Sequence, residues 1–464
     1  MASPAGDVAY TGSFSIRACK GGRTICFAII ENFASKSPSH MRLGVVGLKI
    51  AFLGLALVLT IAFLVACGGY KSPNTNQNVS GVKFRAFVSQ NVSTSSVSGG
   101  LDIVDATLDR LIRAPGVSDA NSPGLMAVSG NRTVTLVFDA GTNAVNVVNN
   151  KQETSAGTIP LPNWTESLAV TPDASVGYAA VLNAPVAGQA SGAVEMMNLS
   201  TLVLETPIPV PSVHYIVLSP DSTRLLAFSD NSDNATLINF QNISTTSTPN
   251  WVVNGAPQTI TGLNRPVWAT FSNDSSTAYI MNCGQECSPT APLASVSSIS
   301  FANNPTLALS QTLTIPGGAT YGVLQGTRLS VAGTTPGTVC GTTPCGTLNV
   351  IDVSNVSALQ VMDTQPITDG YHNRMAITAD NQVFVGARMC SGPCLSMYNA
   401  TTRAVVIGSD MGDVTAVQPV TGRPEVYVVE NGELRVWLTP SDTLQIPQNQ
   451  MNISGFAVDV KIVD

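Results

Sequence analysis

Charge is what this sequence has least of: 22 Lys and Arg and 29 Asp and Glu in 464 residues, 11%, where an ordinary soluble domain carries roughly 25%. Histidine is scarcer still, with His40, His214 and His372 alone, which leaves little material for metal or acid–base chemistry. No run of Lys and Arg occurs and the formal net charge is -7, so a general nucleic-acid binder is excluded, because phosphate contacts need clustered cations. There is no G-x-S-x-G nucleophile elbow, phosphate-cradling glycine loop, H-E-x-x-H zinc motif, D-x-D-x-D-G calcium loop or C-x-x-C-H haem motif. No cofactor and no metal is therefore expected. From residue 82 onward helical periodicity is missing too. What remains is a chain that is 44% apolar with a surface of hydroxyls and amides, enough to build a large core and too apolar to stay disordered.

One long hydrophobic run is present. Residues 50 to 65 (IAFLGLALVLTIAFLV) are uncharged, follow Met41, Arg42 and Lys49, and end in Leu64-Val65-Ala66-Cys67-Gly68-Gly69. A basic flank, an apolar stretch and small residues at its end form the layout of an export signal. The LVAC tetrad resembles the lipobox of bacterial lipoproteins. That resemblance implies a signal peptide over 41–66, cleavage before Cys67, and palmitate-type acyl chains on Cys67. Several chains anchor a protein stably where one does not. The alternative is an uncleaved anchor, since 43–66 is long enough to cross a bilayer. Residues 1–40 precede a complete signal with its own Met and read as a start-site overprediction. Residues 67–82, polar and breaker-rich, read as a flexible tether ahead of a domain over 83–464. Gly68, where an Asp would mark inner-membrane retention in enteric bacteria, points to the outer membrane or cell surface.

The domain is all-β. Short runs rich in Val, Ile, Thr, Leu and Phe alternate with Ser, Asn, Gly and Pro clusters, and a unit of strand, turn and strand recurs. Its clearest copies are LAVTPDASVGYAAV (168–181), IVLSPDSTRLLAF (216–228), ATFSNDSSTAYIM (269–281) and MAITADNQVFVGA (375–387), with LMAVSGNRTVTLVF (125–138) and AVQPVTGRPEVYVV (416–429) at the ends. Aligned on the turn, Asn131, Asp173, Asp221, Asp274, Asp380 and Val420 are spaced by 42, 48, 53, 106 and 40. Since 106 is twice 53, a hidden copy is expected, and YGVLQGTRLSV (321–331) supplies it. Units of this length with four short strands are the size of propeller blades. The strands over 84–113 form one more blade that lacks its innermost strand, which GFAVDVKIV (455–463) resembles. Eight blades are counted, closed by the two ends of the domain; seven is commoner in the family that the repeats resemble. LDIVD (101–105) and LNVID (348–352) resemble the third strand of YVTN-type repeats, the group that includes the lactonase-like propellers.

The six cysteines that follow Cys67 fall into close pairs, Cys283 with Cys287, Cys340 with Cys345, and Cys390 with Cys394, between the second and third strands of the fourth, fifth and sixth of the seven repeat units. After export they are expected as three local disulfides. Zinc or redox work is the alternative, but the pairs sit on different blades and lack the C-x-x-C spacing.

Ligands in propellers usually sit where the loops preceding the innermost strands converge. Seven positions before each turn residue stand Gly124, Glu166, His214, Val267, Asn373 and Asp413. Glu166, His214, His372, Arg374 and Asp413 are the catalytic candidates. A carboxylate, a His and an Arg around one opening can polarise a carbonyl and activate water. Trp164, Tyr215, Arg265, Trp268 and Tyr371 are the binding candidates. The expected function is a lipid-anchored cell-envelope protein whose propeller binds a protein, glycan or wall component. The alternative is a lactonase-like hydrolase at the channel mouth; a quinone-dependent dehydrogenase would share the shape but has no sequence signal here.

Overall fold

The structure is a computed structural model that describes residues 79–91, 100–117, 120–244, 249–334, 345–445, 451, 453 and 455–464. The expected signal, Cys67 and Cys340 lie outside the described residues.

The described chain forms eight antiparallel sheets, each a meander of four strands or four with a short addition. Blade 1 runs, from the axis outward, Phe456–Ile462, Arg85–Asn91, Gly100–Asp105 and Arg110–Val117. Blades 2 to 8 open with the innermost strands Pro123–Val128, Ser167–Val170, Val213–Leu218, Pro266–Phe271, Tyr321–Gln325, Tyr371–Ile377 and Val414–Pro419. Each innermost strand adjoins the next, and Phe456–Ile462 adjoins both its neighbours, so the ring is closed. The hidden copy at 321–331 is a true blade, and the blade count is eight. The sole helical turn among the described residues is the short 3-10 turn Gly284–Glu286.

Burial explains why the strand pattern changes across a blade. Blades pack face to face, so both faces of a second strand are covered. Val176–Val181, Thr277–Asn282 and Glu425–Glu430 are buried at every position, and their sequences do not alternate. Outermost strands face solvent on one side, and Thr154–Pro160 alternates accordingly.

The recurring turn is held by one carboxylate. Asp173 Oδ1 accepts from Thr171 Oγ1 at 2.6 Å and from the Ser175 amide at 2.9 Å. Asp221 does the same with Ser219 and Thr223, and Asp274 with Ser272 and Ser276. The next residue is left-handed each time: Ala174 at φ 62°, Ser222 at 60° and Ser275 at 59°. In blade 8 the pattern is shifted. There the Val420 amide donates to the Glu425 carbonyl, as the Thr171 and Ser219 amides donate to Val176 and Arg224. Val420 therefore matches Thr171 and Ser219, and Gly422, left-handed at φ 74°, stands near the aspartate position.

Two arginines, one buried and one half-buried, hold the seam. Arg85, 3% exposed, donates to Glu153 and to the Asn150 carbonyl, both at 2.7 Å, and also pairs with Asp464. Arg423 pairs with Asp109 at 2.6 Å and Glu425 at 2.8 Å, joining blade 8 to blade 1. The chain enters on the face where innermost strands end: Ser80 donates its amide and hydroxyl to Glu153, in the turn between the third and fourth strands of blade 2.

Candidate functional site

On the opposite face, where innermost strands begin, a β-bulge interrupts the pairing of most inner strands. Register shifts lie between Val213 and Tyr215, Pro266 and Trp268, His372 and Arg374, and Val414 and Ala416. Such a bulge re-aims side chains at a rim. Here it brings Tyr215, Trp268 and Arg374 to the channel, where Tyr321 joins them.

Three adjoining cavities of about 220, 130 and 390 Å³ occupy this mouth and share Glu166 and Tyr215. In the wall of the largest of them His214 is held on both ring nitrogens. Nε2 lies 2.8 Å from Glu166 Oε2 and Nδ1 lies 2.8 Å from Asp230 Oδ1. Its ring stacks on Tyr215, centroids 4.3 Å apart and nearly parallel. The Tyr215 hydroxyl reaches Tyr371 at 3.1 Å. Trp268 stacks on Tyr321 at 4.4 Å and meets Tyr215 edge-on. The guanidinium of Arg388 lies 5.8 Å from the Tyr371 ring centroid and borders two of the three cavities.

The electrostatics follow from this chain of contacts. Burial alone would lower the His214 pKa, but its hydrogen bonds to Glu166 and Asp230 outweigh burial and raise it above 6.5. The hydrogen bond from His214 in turn holds Glu166 below the usual carboxylate value. Burial pushes the Tyr215 and Tyr371 hydroxyls up, so both stay neutral donors. The arrangement is an imidazole ring held between two carboxylates and walled by aromatic rings.

The other expected residues are placed unevenly. Trp164, 43% exposed, borders the mouth, and Arg265 lines its largest cavity while facing Asp233. Arg374 reaches the channel, with Nε donating to the Thr415 carbonyl at 2.7 Å. His372 stands apart from the group: it is fully buried, one residue before the bulge, with Nε2 3.0 Å from the Thr368 carbonyl. Burial lowers its pKa to about 4, which makes it a neutral packing residue. Asp413 is exposed and accepts from the Met389 amide at 2.7 Å, fixing a rim loop. The two-residue shift of the blade 8 turn puts Thr415, not Asp413, at the cavity wall. Cys283–Cys287 and Cys390–Cys394 are disulfides, on blades 5 and 7, and the first lines the mouth.

Asp230 and Arg388 were not among the expected residues. Both come from the ends of second strands, Arg224–Ser229 and Gln382–Arg388. In an antiparallel meander these loops rise on the same face as the starts of innermost strands, so strand order alone carried the signal. Among the described residues no group of three His, Cys, Asp or Glu is placed to hold a metal.

No protein-family model matches the chain, and no curated protein matches it in sequence. Solved structures do match in shape. The dihydro-haem d1 dehydrogenase NirN, in complex with DHE, aligns with TM-score 0.58 at 12% identity, covering 83% of this chain and 79% of that one. Hydrazine synthase of Kuenenia stuttgartiensis aligns with TM-score 0.50 at 15% identity, covering 72% and 97%. The periplasmic gluconolactonase of Pseudomonas aeruginosa aligns with TM-score 0.45 at 14% identity, covering 82% and 99%. At these identities the likeness is one of fold, and lactonase-like propellers are among the neighbours.

Proposed function

We propose that the protein is a cell-envelope lipoprotein, tethered through Cys67, whose propeller binds a small polar ligand at the channel mouth. The lipobox-like tetrad supports the anchoring. One observation carries the binding reading: His214 has both nitrogens engaged by carboxylates, so neither is left free to take a proton from water or substrate. Its role is to fix Glu166, while Arg388 and the aromatic walls face the cavity. An anionic or carbonyl oxygen suits Arg388, and a flat apolar face suits Tyr215, Tyr371 and Trp164.

A thermal-shift screen of the full chain against lactones, hydroxy acids, glycans, wall fragments, quinones and metals tests this. A ligand at a hundredfold excess over its Kd adds about 2.7 kcal/mol of apparent stability. We expect a stabilising ligand that is recovered unchanged after incubation, and whose effect is lost in Arg388→Ala. A screen in which no compound shifts the midpoint would overturn the small-ligand reading. The Glu166 carboxylate, kept ionised by His214 and lining all three cavities, favours a second reading, lactone hydrolysis with Glu166 as the base. Lactone turnover that disappears in His214→Ala while the fold persists would establish it instead.

A further inference from the structure

A fourth cavity, of about 330 Å³, lies away from the channel in the groove between the outer strands of blades 3 and 4. That volume is within the range of ligand pockets. Its wall is Trp251, from the outermost strand of blade 4, which also packs against the apolar cluster between the two blades. The indole Nε1–H donates to Asp173 Oδ2 at 2.9 Å, across the blade boundary. With that donor occupied and the ring fixed, Trp251 offers the groove carbon and π surface.

Around it stand amides and hydroxyls. The Asn198 amide donates to Glu205 Oε1 at 3.2 Å, while its Oδ1 accepts from the Ser200 hydroxyl at 2.7 Å and the Thr201 amide at 3.1 Å. Its orientation is therefore set before any ligand arrives. Asn250 adds a second amide from the facing blade. No Lys, Arg or His lines the cavity, and Glu205 is its one carboxylate, so an anion has no partner there. An acyl chain would strand six or more polar groups against carbon.

A pyranose ring presents a C–H face to an aromatic plane and equatorial hydroxyls to planar amides and carboxylates. We propose that this groove is a binding site for a neutral saccharide, separate from the channel mouth and independent of what binds there.

The test uses the purified full chain in a detergent without a sugar headgroup, titrated with cellotetraose, chitotetraose, maltotetraose and a lysine tetrapeptide, and read by tryptophan fluorescence and calorimetry. We expect saturable binding of at least one saccharide. Asn250→Ala and Glu205→Ala should each weaken it at least tenfold with the thermal midpoint unchanged. Trp251→Phe should remove the fluorescence response, and Arg388→Ala should leave binding intact. Absence of binding by all three saccharides, binding that persists in Trp251→Phe and Glu205→Ala, or preference for the lysine peptide would each overturn the proposal. Saccharide binding lost in Arg388→Ala instead would move the saccharide to the channel mouth.

Discussion

The two histidines of the domain show how one position decides the fate of a side chain. His214 is the bulged residue of its strand and sits in the mouth between two carboxylates; His372 precedes the bulge of its own strand and turns into the blade interface. Their effects on stability have opposite signs. The His214 pKa is raised, so its contribution is present below about pH 6.5 and is lost as pH rises through the folded value. The His372 pKa is lowered to about 4, so the folded state binds fewer protons than the unfolded one between 6.5 and 4, and stability is lost as pH falls through that window. The loss is on the order of 3 kcal/mol when complete. Imidazole resonances followed by NMR should show one ring titrating above 6.5 and the other far below. Denaturation midpoints of His372→Gln should depend less on pH between 6.5 and 4 than those of the parent; an equal dependence would contradict the buried neutral assignment. Sequence placed both histidines at one level because it does not show where a bulge adds a residue.

At the scale of the element, the turn was the most legible feature, and the structure shows why. The motif Ser or Thr, any residue, Asp, then Ser or Thr two positions later describes a carboxylate that binds a hydroxyl and an amide at once. Such local hydrogen bonding is written in the sequence and does not depend on distant packing. Blade 8 lacks the aspartate, and there the alignment slipped by two residues, which moved Asp413 into a role that belongs to Thr415. The left-handed residue after the aspartate costs an L side chain roughly 1–2 kcal/mol, against the 0.5–1 kcal/mol that a glycine adds in unfolded-state entropy. Ala174, at φ 62°, is such a position. Ala174→Gly is therefore expected to stabilise the protein by about 0.5 to 1 kcal/mol, measured by urea denaturation. The loops between second and third strands carry legible cysteine pairs, and they also carry Asp230 and Arg388. Those two residues carry no motif, and only the meander brings them to the mouth.

At the scale of the whole molecule, eight blades were legible from spacing because each blade repeats one element order, and the odd blade was recognisable because its inner strand lay at the other end of the chain. What spacing did not show is the buried charge at that seam. Arg85 touches Glu153, Asn150 and Asp464 while 3% exposed. Removing a partner from a buried pair typically costs about 3–5 kcal/mol. Arg85→Ala should lower stability by that amount, and Arg85→Lys should recover only part of it, since a lysine cannot span three acceptors in a plane. A change under about 1 kcal/mol in Arg85→Ala would show that the ring does not depend on this clamp.

The seam also sets a timetable. Among the described strands Phe456–Ile462 comes latest in the sequence and pairs with the earliest, so until it emerges Arg85–Asn91 waits with an open hydrogen-bonding edge. Seven blades can form in order as the chain lengthens, whereas the first is finished only at the end. A chain that stops before residue 456 loses a single strand of the ring yet exposes a long apolar edge to every other copy, so late truncation should produce aggregate in place of a shorter propeller.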